Sequence, residues 1–277
     1  MQIVNVLRHS ERRGLYVKNL TAYVLESYTR YHMNLQFHNW SLSLDLIGGR
    51  IQELSHEGVN VFGTYARMNG KMGNTHLCVP SFDIEGQEKY NLPFHGLVRT
   101  IPWTVKNASD SSIVISYITT PSNTYSAELS IEQTFTLKET FVHSIQVAHL
   151  RGEAVPLNIG VHYYWDTPQG WDKLSVNSQQ STEGIKSNGY MILKEKNIIE
   201  FPHASYEMKS DGFHSAALWT SFKTDESGKK SYSRDFCCIE PVIGWPGYFG
   251  SEESMMRKGE QKTVSIALEK LCAGERT

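Results

Sequence analysis

The dominant periodicity along the chain is two. Met33, Leu35 and Phe37 alternate with polar partners, and Trp40, Leu42, Leu44 and Leu46 do the same until Gly48–Gly49 breaks the run. Leu129, Ile131, Gln133, Phe135 and Leu137 alternate with Ser130, Glu132, Thr134 and Thr136. Leu157, Ile159, Val161, Tyr163 and Trp165 form a further series. Successive side chains on a strand point to opposite faces, so alternation of this length predicts half-buried strands. Turn signals fall between the runs, among them Asn39, Gly58, Asn69–Gly70, Gly73–Asn74, Gly152, Gly228 and Gly259–Glu260. Asn69–Gly70 suits a type I′ hairpin, because both residues tolerate positive φ. Many strands with closely spaced turns predict an all-β antiparallel sandwich. No long segment offers an amphipathic helix, and no repeat is visible. Residues 1–277 read as a single domain, with 1–20 as an N-terminal tail or edge segment. The polar stretch 166–189 reads as long surface connections, and KTDESGKKSYSR, Lys223 to Arg234, as a solvated hairpin loop.

Composition narrows the function classes. Of 277 residues, 40% are hydrophobic and 20% charged, which suits an ordinary core and argues against disorder across the chain. A formal charge of −2 supplies no general reason to hold nucleic acid or an anionic membrane. The start, MQIVNVLRHSERRG, has an apolar run too short for a signal peptide, and no run approaches the roughly 20 residues of a membrane helix. The expected setting is cytoplasmic. Cys78, Cys237, Cys238 and Cys272 show no CxxC spacing, and Cys237 and Cys238 point apart if they lie on a strand. They read as reduced, semi-buried thiols rather than metal ligands, and no metal is expected.

Three segments carry candidate chemistry. In LNIGVHYYW, Leu157 to Trp165, the parity that puts Leu157, Ile159, Val161 and Tyr163 on one face puts Asn158, Gly160, His162 and Tyr164 on the other. A mid-strand histidine facing away from the aliphatic side suits the lining of a concave sheet face. In DFCCIEPVIGWPGYF, Asp235 to Phe249, Glu240 follows an apolar strand. A carboxylate there must be paired, exposed or raised in pKa, and a raised carboxylate can act as a base near neutral pH. In LPFHGLVRTIPWTV, Leu92 to Val105, His95–Gly96 marks a tight turn, with Arg99 further on. Histidine and arginine both offer hydrogen bonds to hydroxyls. Each segment also has a plain structural reading: a core histidine, a solvated strand-end glutamate, and a turn with a paired arginine.

Taken in series, HG..R with a Trp shortly after, then N.G.H.Y, then.EP resemble the aldose 1-epimerase (galactose mutarotase-like) family. The flanks ELSIEQTFTLKETFVHSIQVAHLRGEAVPLNIGVHYYW, MRKGEQKTVSIALEKL and LIGGRIQELSHEGVNVF look like its strand pairs and closing segment. The resemblance covers roughly residues 22 to 271. It implies a large twisted β-sandwich, the mutarotase-like supersandwich, with a sugar on its concave face and no cofactor. In such an enzyme a glutamate takes the proton of the anomeric hydroxyl and a histidine protonates the ring oxygen. The ring opens, C1–C2 rotates and the ring closes on the other face. Carried over, Glu240 is the base, His162 the acid and His95 a second histidine near the ring oxygen. Substrate contacts are expected from Arg99, Asp211 in SDGF, and the aromatics Tyr164, Trp165 and Trp245.

The chain departs from the pattern in several places: the common HGF reads HGL, with Leu97, and the acidic sugar contact between the His and Glu strands has no clear equivalent beyond Asp211. Many members carry a pocket arginine before the HG motif, where this chain has Ser81, Phe82 and Asp83; Arg67 and Arg99 are the candidate substitutes. The expected partner is a monosaccharide or sugar phosphate, with no nucleic acid and no membrane, bound to a monomer or weak homodimer. The leading reading is a hexose 1-epimerase. Its alternatives are a hexose-6-phosphate 1-epimerase, which needs clustered cations at the pocket, and a non-catalytic carbohydrate-binding module of the same fold. A glycoside hydrolase fits less well, because only Glu240 stands in a convincing frame where two carboxylates are needed.

Overall fold

The computed structural model describes residues 32–82 and 84–271, and there the alternating runs become the strands of two nine-stranded sheets. The first sheet runs, in spatial order, His32–Phe37, Trp40–Asp45, Arg50–His56, Val59–Phe62, Gly160–Asp166, Phe236–Val242, Ser215–Trp219 and Tyr190–Ile192. A short strand, His76–Cys78, also pairs with Gly160–Asp166. The second sheet is built around the long strands Glu128–Leu137, Phe141–Arg151 and Gln261–Lys270, flanked by Ser112–Ile118 and Thr104–Ala108 on one side and Ser205–Asp211 and Lys196–Glu200 on the other. The strands pair antiparallel throughout, and residues of both sheets join one hydrophobic cluster. The all-β sandwich expected from the alternation is the fold observed. N-terminal residues 1–20, Asp83 and Cys272 lie outside the described residues.

The two sheets bury their strands differently. Along Glu128–Leu137 buried and half-buried positions alternate strictly, so Leu129, Ile131, Gln133, Phe135 and Leu137 face the core and their neighbours face solvent. Along Gly160–Asp166 every residue up to Trp165 is buried. Val161, Tyr163 and Trp165 belong to the core between the sheets, whereas Tyr164 packs in a separate cluster with Phe236, Cys238, Tyr65 and Trp219. A strand buried on both faces needs cover on its outer side, and that cover makes a cavity.

One polar chain crosses the core. The Tyr163 hydroxyl donates to His143 Nδ1 at 2.8 Å, and His143 Nε2 lies 3.1 Å from Gln133 Oε1. Gln133 spends its amide N–H on the Gly49 carbonyl at 3.2 Å, which leaves Oε1 as the acceptor and fixes the proton of His143 on Nε2. Gly49 has φ of 57°, and a Cβ there would meet Gln133 Nε2 at 2.4 Å, so this turn needs glycine.

Three local expectations meet the structure with different results. The stretch 223–234 is a hairpin, Phe222–Thr224 against Lys230–Tyr232, whose turn is held by Asp225 Oδ1 accepting from the Ser227 and Lys229 amides. Asn69–Gly70 is a turn but not type I′, because Gly70 (φ 77°) has positive φ and Asn69 does not. Instead the Gly70 amide closes on the Arg67 carbonyl, and Asn69 Oδ1 accepts from the Lys71 amide. The stretch 166–189 is more than surface connection. It holds the strands Ser175–Val176 and Gln179–Gln180 and the helix Thr182–Ser187, and it buries Trp171, Leu174 and Ile185. The polar composition hid this because only one residue in several points inward. Cys78, Cys237 and Cys238 are all buried and form no disulfide among the described residues, with Cys237 in the main core and Cys238 on the outer face. No helix among the described residues is long and apolar enough to cross a membrane.

Candidate active site

Strand register builds the site. Gly160–Asp166 and Phe236–Val242 pair with Tyr163 against Ile239 and Gly160 against Val242, which sets His162 opposite Glu240. Pro241 has no N–H to give the ladder there. On its other side His162 is paired with His76, and beyond Glu240 stands Ala217. One row across four strands therefore reads His76, His162, Glu240, Ala217, all on the outer face. His162 Nε2 lies 3.2 Å from Glu240 Oε1, and both side chains are nearly inaccessible. The small Ala217 leaves open space beside the carboxylate.

The next row supplies aromatic walls. Tyr164 stacks on His162 with ring centroids 4.8 Å apart, and Trp219 meets His162 edge-on at 5.4 Å. In the row on the other side, Gly160 is bare. A Cβ on it would meet the Phe82 ring at 2.4 Å, so glycine lets Phe82 lie over the strand.

The HG turn closes the cavity from above. His95 (φ 65°) and Gly96 (φ 78°) are both left-handed, and a Cβ on Gly96 would lie 2.1 Å from the Val79 carbonyl oxygen. The Leu97 amide donates to that same carbonyl at 2.7 Å, anchoring the turn against the chain that follows Cys78. The His95 ring is thereby held 5.5 Å from that of His162 and 5.4 Å from that of His76. The cavity between them is about 230 Å³, with His162 and Glu240 at its base, His95 above them and Phe82, Trp219 and Trp245 in its walls. Arg67, Phe94 and Asn188 also reach it.

Three buried ring nitrogens around this cavity have no hydrogen-bond partner: His76 Nε2, His95 Nδ1 and His162 Nδ1. Arg67 Nε is likewise unpartnered. Burial strips these groups of water, which disfavours the charged form of each histidine. Desolvation moves His95 to about 3 and His162 well below its ordinary 6.5, with Arg67 and Arg99 adding repulsion to both. For His76 desolvation again leads, and the Nδ1 contact with the Asn74 carbonyl at 2.8 Å leaves Nε2 as the free lone pair. Unsatisfied buried polar atoms around a cavity are what a hydrogen-bonding ligand would satisfy.

Of the residues singled out in the sequence, Glu240, His162, His95 and Trp245 meet at this cavity, and Tyr164 stacks directly behind His162. Arg99 stands one layer back, with its guanidinium 5.8 Å over the Phe94 ring. Two others are elsewhere. Trp165 has the opposite parity from His162 and packs in the core against Phe62. Asp211 ends a strand of the second sheet and is exposed. Sequence reasoning had not singled out His76, Phe82 or Trp219 as site residues. The alternation in SAALW and HLC carried the signal, but only the register says which strands these segments join.

The two-sheet sandwich thus carries a buried histidine–glutamate pair on its outer face, in the lining of this cavity. The comparisons agree with this fold. The aldose 1-epimerase family model matches residues 50–200, and the chain belongs to that family. The fold is similar to a galactose mutarotase-related enzyme of Lactobacillus acidophilus (TM-score 0.68, 11% identity, 88% of this chain and 98% of that one). It is similar to a galactose mutarotase-like protein of Clostridium acetobutylicum (0.67, 15%, 91% and 98%). It is also similar to a candidate aldose 1-epimerase of Escherichia coli K12 (0.67, 16%, 87% and 99%). No curated protein sequence matches the chain.

Proposed function

We propose that this chain interconverts the α and β anomers of a free hexose. The observation that carries the reading is the His162–Glu240 pair, 3.2 Å apart at the base of a cavity. Ring opening needs a proton taken from the anomeric hydroxyl and one given to the ring oxygen. One carbon bears both oxygens, so acceptor and donor must stand side by side. Glu240 is the base and His162 the acid. The C1–O5 bond breaks as the O1–H electrons form the aldehyde. Closure reverses the proton movements on the other face of C1, and the enzyme is unchanged.

The reactive state is the one-proton pair, with His162 protonated and Glu240 ionised. Burial and the neighbouring cations oppose an imidazolium, which makes it a strong acid, and the adjacent carboxylate is the counter-charge that lets it form. A second proton on the pair blocks the base, and loss of the shared proton removes the acid, so the rate has a bell-shaped pH dependence. Arg67 Nε is a donor and His95 Nδ1 a donor or acceptor for sugar hydroxyls, and Trp219 and Trp245 offer faces for the sugar's C–H groups.

A free hexose is preferred over a hexose 6-phosphate because Arg67 is the one arginine or lysine among the described residues that line the cavity, and phosphate recognition uses clustered cations. The reading is tested by following fresh α-glucose and α-galactose to anomeric equilibrium by polarimetry, in weakly catalysing buffer. Acceleration proportional to protein supports it. Acceleration confined to hexose 6-phosphates transfers the activity to that substrate class, and none with either leaves a binding module.

A further inference from the structure

His76 and Cys78 sit two residues apart on one short strand, so both side chains face the same way, and His95 hangs over them from the HG turn. Each offers one ligand atom within 4.8 Å of the other two, and all three residues are buried. His76 is turned so that Nδ1 lies against the Asn74 carbonyl and Nε2 is without a partner, and His95 Nδ1 is without one as well. A backbone-oriented imidazole, a second imidazole and a thiol form the donor set that zinc takes in open sites, the fourth position being left to water. His95 lines the cavity, which supplies both the entry path and room for that water.

We propose that His76, Cys78 and His95 form a zinc-binding site beside the acid–base pair. Binding joins two neutral imidazoles and the Cys78 thiolate to the ion, and the thiol proton leaves to solvent. A second trio, His162, Cys238 and Glu240, lies on the same face, but His162 and Glu240 already engage one another at 3.2 Å, and a metal there must part them. In the first trio both imidazoles present a ring nitrogen that has no hydrogen-bond partner, His76 Nε2 and His95 Nδ1. Spacing along the chain hides it, because the cysteines are not spaced as pairs and the third ligand arrives from a loop.

Occupancy has a consequence that rests on the proposed function: zinc takes a lone pair of His95 and places a cation beside His162, so the loaded protein is the inactive form. The site is therefore inhibitory, answering to zinc and other thiophilic ions.

The test uses the full chain, reduced and stripped of metal. Cobalt(II), added as a spectroscopic stand-in, should give thiolate-to-cobalt absorption that saturates at one equivalent and is displaced by zinc. Cys78→Ala should abolish that absorption, whereas Cys238→Ala should leave it. His76→Gln, a second route should Cys78→Ala not fold, should weaken cobalt binding about tenfold or more. By polarimetry one equivalent of zinc should slow the wild-type chain about tenfold or more, with chelator restoring the rate. Cys78→Ala should keep its basal rate and lose that sensitivity. No absorption with cobalt, absorption that survives Cys78→Ala, or absorption lost in Cys238→Ala would overturn the site. Absorbance reads binding without turnover, so a chain inactive on every sugar would refute the epimerase and leave this test standing.

Discussion

His143 and His162 are both buried histidines on central strands, and loss of water disfavours the charged form of both, yet their surroundings differ in kind. His143 has a partner on each nitrogen, Tyr163 on one side and Gln133 on the other, and the proton order is set by the Gly49 carbonyl at the end of the chain. The histidines facing the cavity each keep a nitrogen with no partner, and His162 meets a carboxylate instead. Tyr163 and His162 are adjacent residues, so one residue of strand parity separates a finished network from an unfinished one. A closed network specifies the packing of two sheets. An open one costs stability in the empty protein and is explained by what enters the cavity.

The sharpest way to break this contrast is to remove one member from each side. His162→Ala should lower turnover about 10²-fold or more while changing stability little, measured by polarimetry and denaturant melts. His143→Phe should do the opposite. It leaves the Tyr163 hydroxyl and Gln133 Oε1 buried without partners, costing about 2–4 kcal/mol by chemical denaturation with turnover within a few-fold. Equal effects on both readouts in both variants would erase the distinction.

Acid should expose the burden of the buried histidines. His143 and His95 are pushed from 6.5 to about 3, so between those values the unfolded chain binds protons the folded chain refuses. Stability from these groups is fully present above pH 6.5 and falls as pH drops, by about 1.4 kcal/mol per pH unit for each. Denaturant midpoints from pH 7 to pH 4 should decline on that account, with a shallower slope in His143→Phe. Smaller again is the sugar contact of the walls. Trp245→Ala or Trp219→Ala should raise KM about 3–10-fold with kcat less affected. The smallest effect concerns charge. Arg67→Ala removes a cation that repels protonated His162, so the alkaline limb of the rate profile should move to higher pH.

What was legible in the chain follows from the same geometry. Alternation revealed the sandwich, because one buried face per strand imposes a period of two. The motifs around His95, His162 and Glu240 were legible because each is local: a left-handed HG turn, a histidine of opposite parity to its aliphatic neighbours, a carboxylate inside an apolar strand. Partners that arrive through register were not. His76 and Trp219 join the site because their strands happen to pair beside Gly160–Asp166 and Phe236–Val242 in particular registers, which no segment states by itself. Trp165 was placed by nearness in sequence, and parity sends it to the core. The segment 166–189 read as polar connection because Trp171, Leu174 and Ile185 are widely spaced anchors without a period.

The most direct test of the central claim is the anomerisation rate of Glu240→Gln beside the wild-type chain, with sugar affinity measured on the same samples. Glutamine keeps the size and hydrogen-bonding reach of glutamate but accepts no proton. The account predicts a rate lower by about 10²-fold or more with affinity nearly unchanged. A variant that turns over at a near-normal rate would contradict it and remove Glu240 as the base.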